Sequence, residues 1–235
     1  MKVIVLRKTE NPQQLVWASA HQCVSPDSLE FTKMPDEAMA GEFVVKHLLA
    51  GNRGHFSPLE APAISFDVIG FPHSTMQQFR THRIGIHFSV QSFRYTGQQI
   101  IDVAEGKRSV EDVFYFRPLS HYTDRNGKRY EYTEINLEND KEVCRNTAHY
   151  YALRINQGFS EEHARDLIPF NIRQHWVMSC NVRSLMHLLD LRAPANAQLE
   201  CNVLCDQLMN HFTEWTPAIA QWYLDNRWRK ARLSP

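Results

Sequence analysis

The chain has 235 residues, 43% of them hydrophobic and 22% charged, so it is long and apolar enough to bury a sizeable core and is not a disordered polypeptide. Lys+Arg and Asp+Glu both count 26, and the resulting formal charge of zero leaves no global field to draw in nucleic acid or an anionic membrane. There is no apolar run of membrane-spanning length, no GxGxxG or P-loop, no HExxH and no GxSxG, so any nucleotide or cofactor must be held mainly by side chains.

The opening MKVIVLRKTENPQQ predicts a strand cut off by Arg7 and Lys8, not a signal peptide, and the chain is expected to be soluble and cytoplasmic. Residues 34–50 predict a helix, with Pro35 in its first turn, Phe43, Val44, His47 and Leu48 near one stripe, and Gly51, Asn52 and Gly54 ending it. Residues 63–70 alternate, with Ile64, Phe66 and Val68 on one face of a strand. After Pro72 a short helix is expected near 74–83, with Ser74 as its cap.

Residues 117–135, with Asp124-Arg125-Asn126-Gly127 at their centre, predict an exposed turn or hairpin. From about 136 onward the pattern is helical. A segment over 138–157 is broken by Gly158. Ser160-Glu161-Glu162 then opens a short capped helix that Pro169 ends. In NVRSLMHLLDLR the apolar Val182, Leu185, Met186 and Leu189 share one face, and Arg183, His187 and Asp190 share the other. A last long helix is expected over 196–212, with Leu204, Leu208, Phe212 and Trp215 on one side. Without repeats or linkers, residues 1–235 read as one compact domain of mixed α/β (α+β) class.

The five cysteines (Cys23, Cys144, Cys180, Cys201, Cys205) form no CxxC pair and predict reduced thiols. Cys201 and Cys205 lie four apart without a second ligand pair, so they read as packed core residues and no metal is expected.

Polar chemistry gathers in three places. Residues 77–99 hold Arg80, Arg83, Arg94, His82 and His87 interleaved with Ile84, Ile86, Phe88, Val90 and Phe93, which marks a folded element. Asp67 is the only acid between Glu60 and Asp102, so the cluster is locally positive and suited to an anion; a surface hairpin whose arginines pair with distant acids is the bland alternative. Arg183, His187 and Arg192, with Asn181 and Gln198 nearby, fit a ligand site and a solvated or ion-paired helix face equally well. Gly54-His55-Phe56-Ser57-Pro58-Leu59-Glu60 alone predicts only a turn.

Taken in order, GHFSPLE, QQFRTHR followed eight residues later by SFRY, and NVRSLMHLLDLRAPANAQLE resemble the flavin-dependent thymidylate synthases over residues 40–215. The resemblance implies a central, mostly antiparallel sheet with a large helical C-terminal half. It also implies a methyltransferase of nucleotide biosynthesis that makes dTMP from dUMP with methylenetetrahydrofolate, FAD and NADPH, without an enzyme nucleophile on the uracil. None of the cysteines precedes a histidine, against the cysteine-based class of thymidylate synthase. A homotetramer with active sites at subunit interfaces is implied, with neither nucleic acid nor membrane as partner.

By position, Gln78, Ser92, Arg94, Arg165 and Arg192 match the family's dUMP contacts, and Arg192 and Ser92 are the expected catalytic contacts. His55, Ser57, His82, Arg83, Asn181, Arg183 and His187 match the FAD contacts. The family triplet is commonly Arg-His-Arg, then seven residues, then Ser; here it is Thr81-His82-Arg83, eight residues and Ser92. His187 stands where Asn is common and Asn196 where His is frequent. A nucleotide- or RNA-binding protein using the 80–94 arginines, and a flavoprotein of this fold with altered activity, are the competing readings.

Overall fold

The computed structural model describes residues 1–124 and 126–230, with the side chain of Asn52 also outside the description. Arg125, in the expected hairpin turn, therefore lies outside the described residues. In chain order the elements are β1 (Lys2–Lys8), α1 (Pro12–Gln22), α2 (Glu37–Val44), β2 (Ala63–Pro72), α3 (His73–Arg80), β3 (Ile86–Val90), α4 (Gln98–Ala104), α5 (Val110–Val113), β4 (Ser120–Thr123), β5 (Arg129–Tyr132), α6 (Glu134–Asn156), α7 (Glu161–Ala164), β6 (Arg173–Asn181), α8 (Val182–Arg192), α9 (Leu199–Trp215) and α10 (Pro217–Asn226). One sheet has the strand order β1-β2-β6-β3, and β4 and β5 pair separately as the expected hairpin. None of the described helices is long and apolar enough to cross a membrane.

Packing divides the chain into two compact units. The first holds Met1–Ile69, Gln78–Ser89 and the chain from Trp176 onward; the second holds Gly70–Gln77 and Val90–His175.

In the first unit, β1 lies antiparallel to β2, with Val3 opposite Val68 and Val5 opposite Phe66. The alternation of β2 buries Ile64, Phe66 and Val68 as expected. The apolar stripe of α8 is fully buried at Val182, Leu185, Met186 and Leu189, each such side chain contributing about 1.5–3 kcal/mol against exposure. Leu204, Leu208, Phe212 and Trp215 of α9 are buried likewise. Helices α1, α2 and α10 are fastened by one buried glutamine: Gln13 Oε1 accepts from the backbone N of Ala218 (2.9 Å) and Ile219 (3.3 Å), and its Nε2 donates to the carbonyl of Glu37 (3.0 Å). These bonds satisfy amides that the start of α10 would otherwise leave open.

The second unit has its own core of Phe93, Ile100, Val103, Val110, Val113, Phe114, Cys144, Ala148, Tyr151, Ala164 and Ile172, drawn from α4 to α7 and the segments beside them. Helix α6 starts earlier than residue 138, because Thr133 and Asn136 form a capping box at its N-terminus. Ser160 caps α7 through the backbone N of His163, as expected.

Several boundaries differ from the sequence reading. The helix expected over 34–50 begins only after Asp36, whose carboxylate accepts from Met39 N at 2.8 Å, so Pro35 lies before the cap. It widens to a π-turn over Val45–Leu49. Ser74 is not a cap: α3 already starts at His73. The last long helix starts at Leu199 instead of 196, and α10 follows it. Strand β6 interrupts the stretch read as helical. Its buried residues Gln174, Trp176, Met178 and Cys180 alternate, but Gln, His and Ser at neighbouring positions carry weak strand preference, and burial in the sheet overrides it.

Candidate active site

Within the first unit a cavity of about 410 Å³ is lined by Glu60, Ile84, Gly85, Asn181, Arg183, Ser184 and His187. The sharp passage from β6 into α8 builds one wall. Asn181 caps α8 by accepting from Ser184 N at 2.8 Å, which satisfies a first-turn amide and points the following residues of the helix inward. Ser184 Oγ donates to the carbonyl of Ile84 at 3.0 Å and ties the opposite loop to the helix. Arg183 donates to Glu60 at 2.6 Å, so the guanidinium is oriented by an acid from the GHFSPLE segment. Ile84 is 91% exposed, an apolar side chain left uncovered at the cavity's edge.

Gly85 makes the close approach possible. Its φ is +68°, and a Cβ there would stand 2.1 Å from Ser184 Oγ and 3.0 Å from Asn181 Nδ2, both on side chains fixed by other bonds. Gly85→Ala is expected to destabilise the protein by about 1–3 kcal/mol and to displace the loop from the cavity. A thermal melt lowered by roughly 2–4 °C per kcal/mol, with reduced ligand uptake, checks this; an unchanged Tm would remove the role given to the glycine.

Beside the cavity, Arg192 at the end of α8 is held by three side chains from α3 and the turn after it. Its Nε donates to His82 Nε2 (2.9 Å), its Nη1 to Gln78 Oε1 (3.3 Å) and its Nη2 to Thr81 Oγ1 (3.2 Å). Thr81 Oγ1 in turn donates to the carbonyl of Gln78 at 2.7 Å. Arginine only donates, so His82 must accept at Nε2 and carry its proton on Nδ1, which then donates to His187 Nε2 at 3.2 Å. Burial, then the Arg192 charge, then His187 push the His82 pKa down to about 4. Burial and Arg192 also push His187 down, against the pull of Asp190. Both rings are therefore neutral at neutral pH, and their tautomers are set by the arginine.

The second unit holds the other expected contacts. Ser92 opens a turn, its carbonyl accepting from Tyr95 N (3.0 Å) and Thr96 N (3.1 Å). Arg94 is exposed and pairs with Glu162 at 2.7 Å. Arg165 lies in the single turn Arg165–Leu167 after α7. Glu162 is held below the usual carboxylate range, chiefly by a backbone hydrogen bond, then by Arg94, Ser160 and Arg165. The 77–99 cluster is thus not wholly without counter-charge: one of its arginines already has an acid 68 positions downstream, which no local reading of charge could reveal.

Of the residues expected around FAD, Asn181, Arg183 and His187 line the cavity, and His82 reaches it through His187. His55, Ser57 and Arg83 are exposed and do not line it. Asn196 is exposed in the loop before α9. Gln78 and Arg192 are bonded to each other. Asp190, expected on the polar face with Arg183 and His187, is 3% exposed, because α10 covers it: Tyr223 OH donates to its Oδ1 (2.9 Å) and Arg227 Nη2 to its Oδ2 (2.8 Å). Sequence reasoning missed Glu60, Ile84, Gly85 and Ser184 as lining residues. Glu60 and Ser184 did stand inside the quoted motifs. Thr81 was also not expected to bond Arg192.

Residues 4–218 match the family model described as thymidylate synthase complementing protein. A flavin-dependent thymidylate synthase of Halobacterium salinarum is 32% identical over 254 aligned positions, and one of Haloarcula marismortui 29% over 252, each covering 100% of both chains. Among solved structures, the UMP/dUMP methylase PolB of Streptomyces cacaoi bound with 5-Br dUMP aligns with a TM-score of 0.77 at 20% identity, over 100% of this chain and 97% of that one. The thymidylate synthase X of Helicobacter pylori with FAD and dUMP gives 0.68 at 21%, over 89% and 92%. At these identities the structures establish a common fold.

Proposed function

From the premise that this chain belongs to the flavin-dependent thymidylate synthase family, we propose that it makes dTMP by reductive methylation of dUMP, with methylenetetrahydrofolate as carbon donor and FAD and NADPH as the reducing system. One observation carries the reading: a permanent cation, Arg192, is clamped by Gln78, Thr81 and His82 beside a cavity of ligand size.

FAD fits the residues at that cavity. Gly85 lets its loop close onto Ser184 and Asn181 at the cavity wall, Ile84 offers an apolar surface for a flat ring, and Asn181, Arg183 and Ser184 supply polar contacts. We assign Asn181, Arg183, His82 and His187 to the flavin, with His55, Ser57 and Arg83 as outer contacts. When bound, FAD supplies the hydride that completes the methyl group.

The chain's own residues bind and polarise the nucleotide. Arg192 presents its charge to the uracil carbonyl edge, stabilises negative charge there and so makes C5 more nucleophilic. Gln78 orients the same edge. Arg94 and Arg165 hold the phosphate, for which a guanidinium fork is suited, and Ser92 adds a hydroxyl contact. No enzyme nucleophile is required. Burial pushes the Cys144 and Cys205 thiols up and Cys180 up to about 12, so none of these is a ready thiolate.

The family model spans residues of both units, which supports reading 1–235 as one functional domain. We propose a homotetramer with active sites at subunit interfaces; Ile84 and Tyr95, 91% and 81% exposed, leave apolar surface for ligand or another copy to cover. The five free cysteines fit a reducing cytoplasm.

The test is dTMP formation by the purified chain from dUMP, methylenetetrahydrofolate and NADPH, with and without added FAD. Product dependent on both FAD and NADPH is expected. Folded, FAD-loaded protein that yields none would overturn the assignment in favour of a flavoprotein of altered activity.

A further inference from the structure

We propose that Glu200 and Gln198 are positioning residues: together they set which way the Gln78 amide points and thereby hold Arg192 in its working pose. The proposal rests on the reading of Gln78 and Arg192 as dUMP contacts.

Glu200 stands in the first turn of α9 and is only 1% exposed. Its Oε2 accepts from Gln198 Nε2 at 2.7 Å. Gln198 Oε1 accepts from Gln78 Nε2. Gln78 Oε1 accepts from Arg192 Nη1 at 3.3 Å and from the buried Cys201 thiol at 3.5 Å. The links run unbroken from carboxylate to guanidinium.

The direction of this ladder follows from its two ends. The guanidinium at one end can only donate, and the Glu200 oxygen at the other accepts from an amide NH₂. Each amide between them could be turned over, exchanging its oxygen and nitrogen. Turning Gln78 over would set its NH₂ against the donors of Arg192 and Cys201 and its oxygen against the oxygen of Gln198. Turning Gln198 over would set oxygen against the carboxylate and NH₂ against NH₂. Only the observed pair of orientations satisfies each of these links, so the buried acid and the guanidinium, from opposite ends, enforce the same face of the Gln78 amide. This selection is long-range in sequence: Gln78 and Gln198 are 120 positions apart.

The experiment measures dUMP affinity by calorimetry alongside steady-state turnover and FAD content. Glu200→Met removes the acceptor, and Gln198→Met removes the link itself at a half-buried position. Each is expected to weaken dUMP binding at least fivefold and to lower kcat, with FAD content unchanged. The exchange Q198E/E200Q keeps a carboxylate facing Gln78 and a donor behind it, and is expected to return dUMP affinity to within about twofold of the parent. Wild-type affinity and turnover in Gln198→Met, or an exchange variant as impaired as Glu200→Met, would overturn the proposal; so would loss of Tm and activity in parallel without rescue, the signature of a merely structural role. Should Glu200→Met fail to fold, the Gln198 variants decide the question. Failure of the parent chain to bind dUMP would instead overturn the function from which the inference starts.

Discussion

Arg192→Ala is expected to lower kcat/KM for dTMP formation by about 10²–10³-fold while the protein keeps its fold and its flavin. The residue lies at the end of α8, only partly buried, and its removal leaves no large void in the core. On the proposed assignment, what is lost is the fixed positive charge that Arg192 presents to the uracil carbonyl edge. The remaining partners cannot substitute: Gln78, Thr81 and the neutral His82 all accept from the guanidinium, and His82 is pushed down to about 4, so it does not carry charge at neutral pH. Lysine is not an adequate replacement, because a single ammonium cannot reproduce three donors directed to three separate acceptors. Steady-state kinetics and the flavin absorbance of the purified variant check the outcome. Near-normal turnover would remove Arg192 from the chemistry.

Arg227→Met is expected to destabilise the protein by about 3–5 kcal/mol at neutral pH, among the largest effects any single substitution here should have. Asp190 has a side chain with no exposure at all, and it is satisfied by Arg227 and by Tyr223 OH. Burial nevertheless dominates: it holds the Asp190 pKa above the usual carboxylate value in spite of the arginine and tyrosine that favour the charged form. The pair is therefore finely balanced, and deleting the cation leaves a buried charge with one neutral donor. The sign of the pH dependence follows. Without Arg227 the carboxyl is still harder to ionise in the folded state, so the unfolded chain releases its proton first as pH rises. The variant's deficit should be full at neutral pH and narrow as pH falls toward the carboxylate range, where Asp190 protonates. Chemical denaturation of parent and variant at several pH values measures this; a deficit that is small, or that does not depend on pH, would argue against a charged Asp190 in the core.

These predictions draw on residues that were unequally legible beforehand. The elements with strong periodicity were visible: β2 with Ile64, Phe66 and Val68, and α8 with Val182, Leu185, Met186 and Leu189, bury the side chains that their spacing selects. The Ser160 cap was equally plain, since capping is settled within four residues. Strand β6 was not. Its alternation of Gln174, Trp176, Met178 and Cys180 is short and mixed in chemistry, and only neighbours on both sides make it a strand.

At the candidate site the motif order alone brought Gln78, His82, Asn181, Arg183, His187 and Arg192 into consideration, and all six lie at or beside one cavity in the first unit. It was the resemblance carried by those ordered motifs that singled them out; residue type and local spacing left Arg183, His187 and Arg192 equally suited to a solvated helix face. Partner choice is different in kind. That Arg183 takes Glu60, that Arg94 takes Glu162, that Asp190 sinks beneath α10 and that Gln78 takes Gln198 are all contacts across tens to more than a hundred positions. Such pairs depend on which surfaces the chain's packing brings together, and on the cost of leaving any buried polar group unpaired once they meet. The ordered motifs named the participants; close packing assigned their partners, their tautomers and their charge.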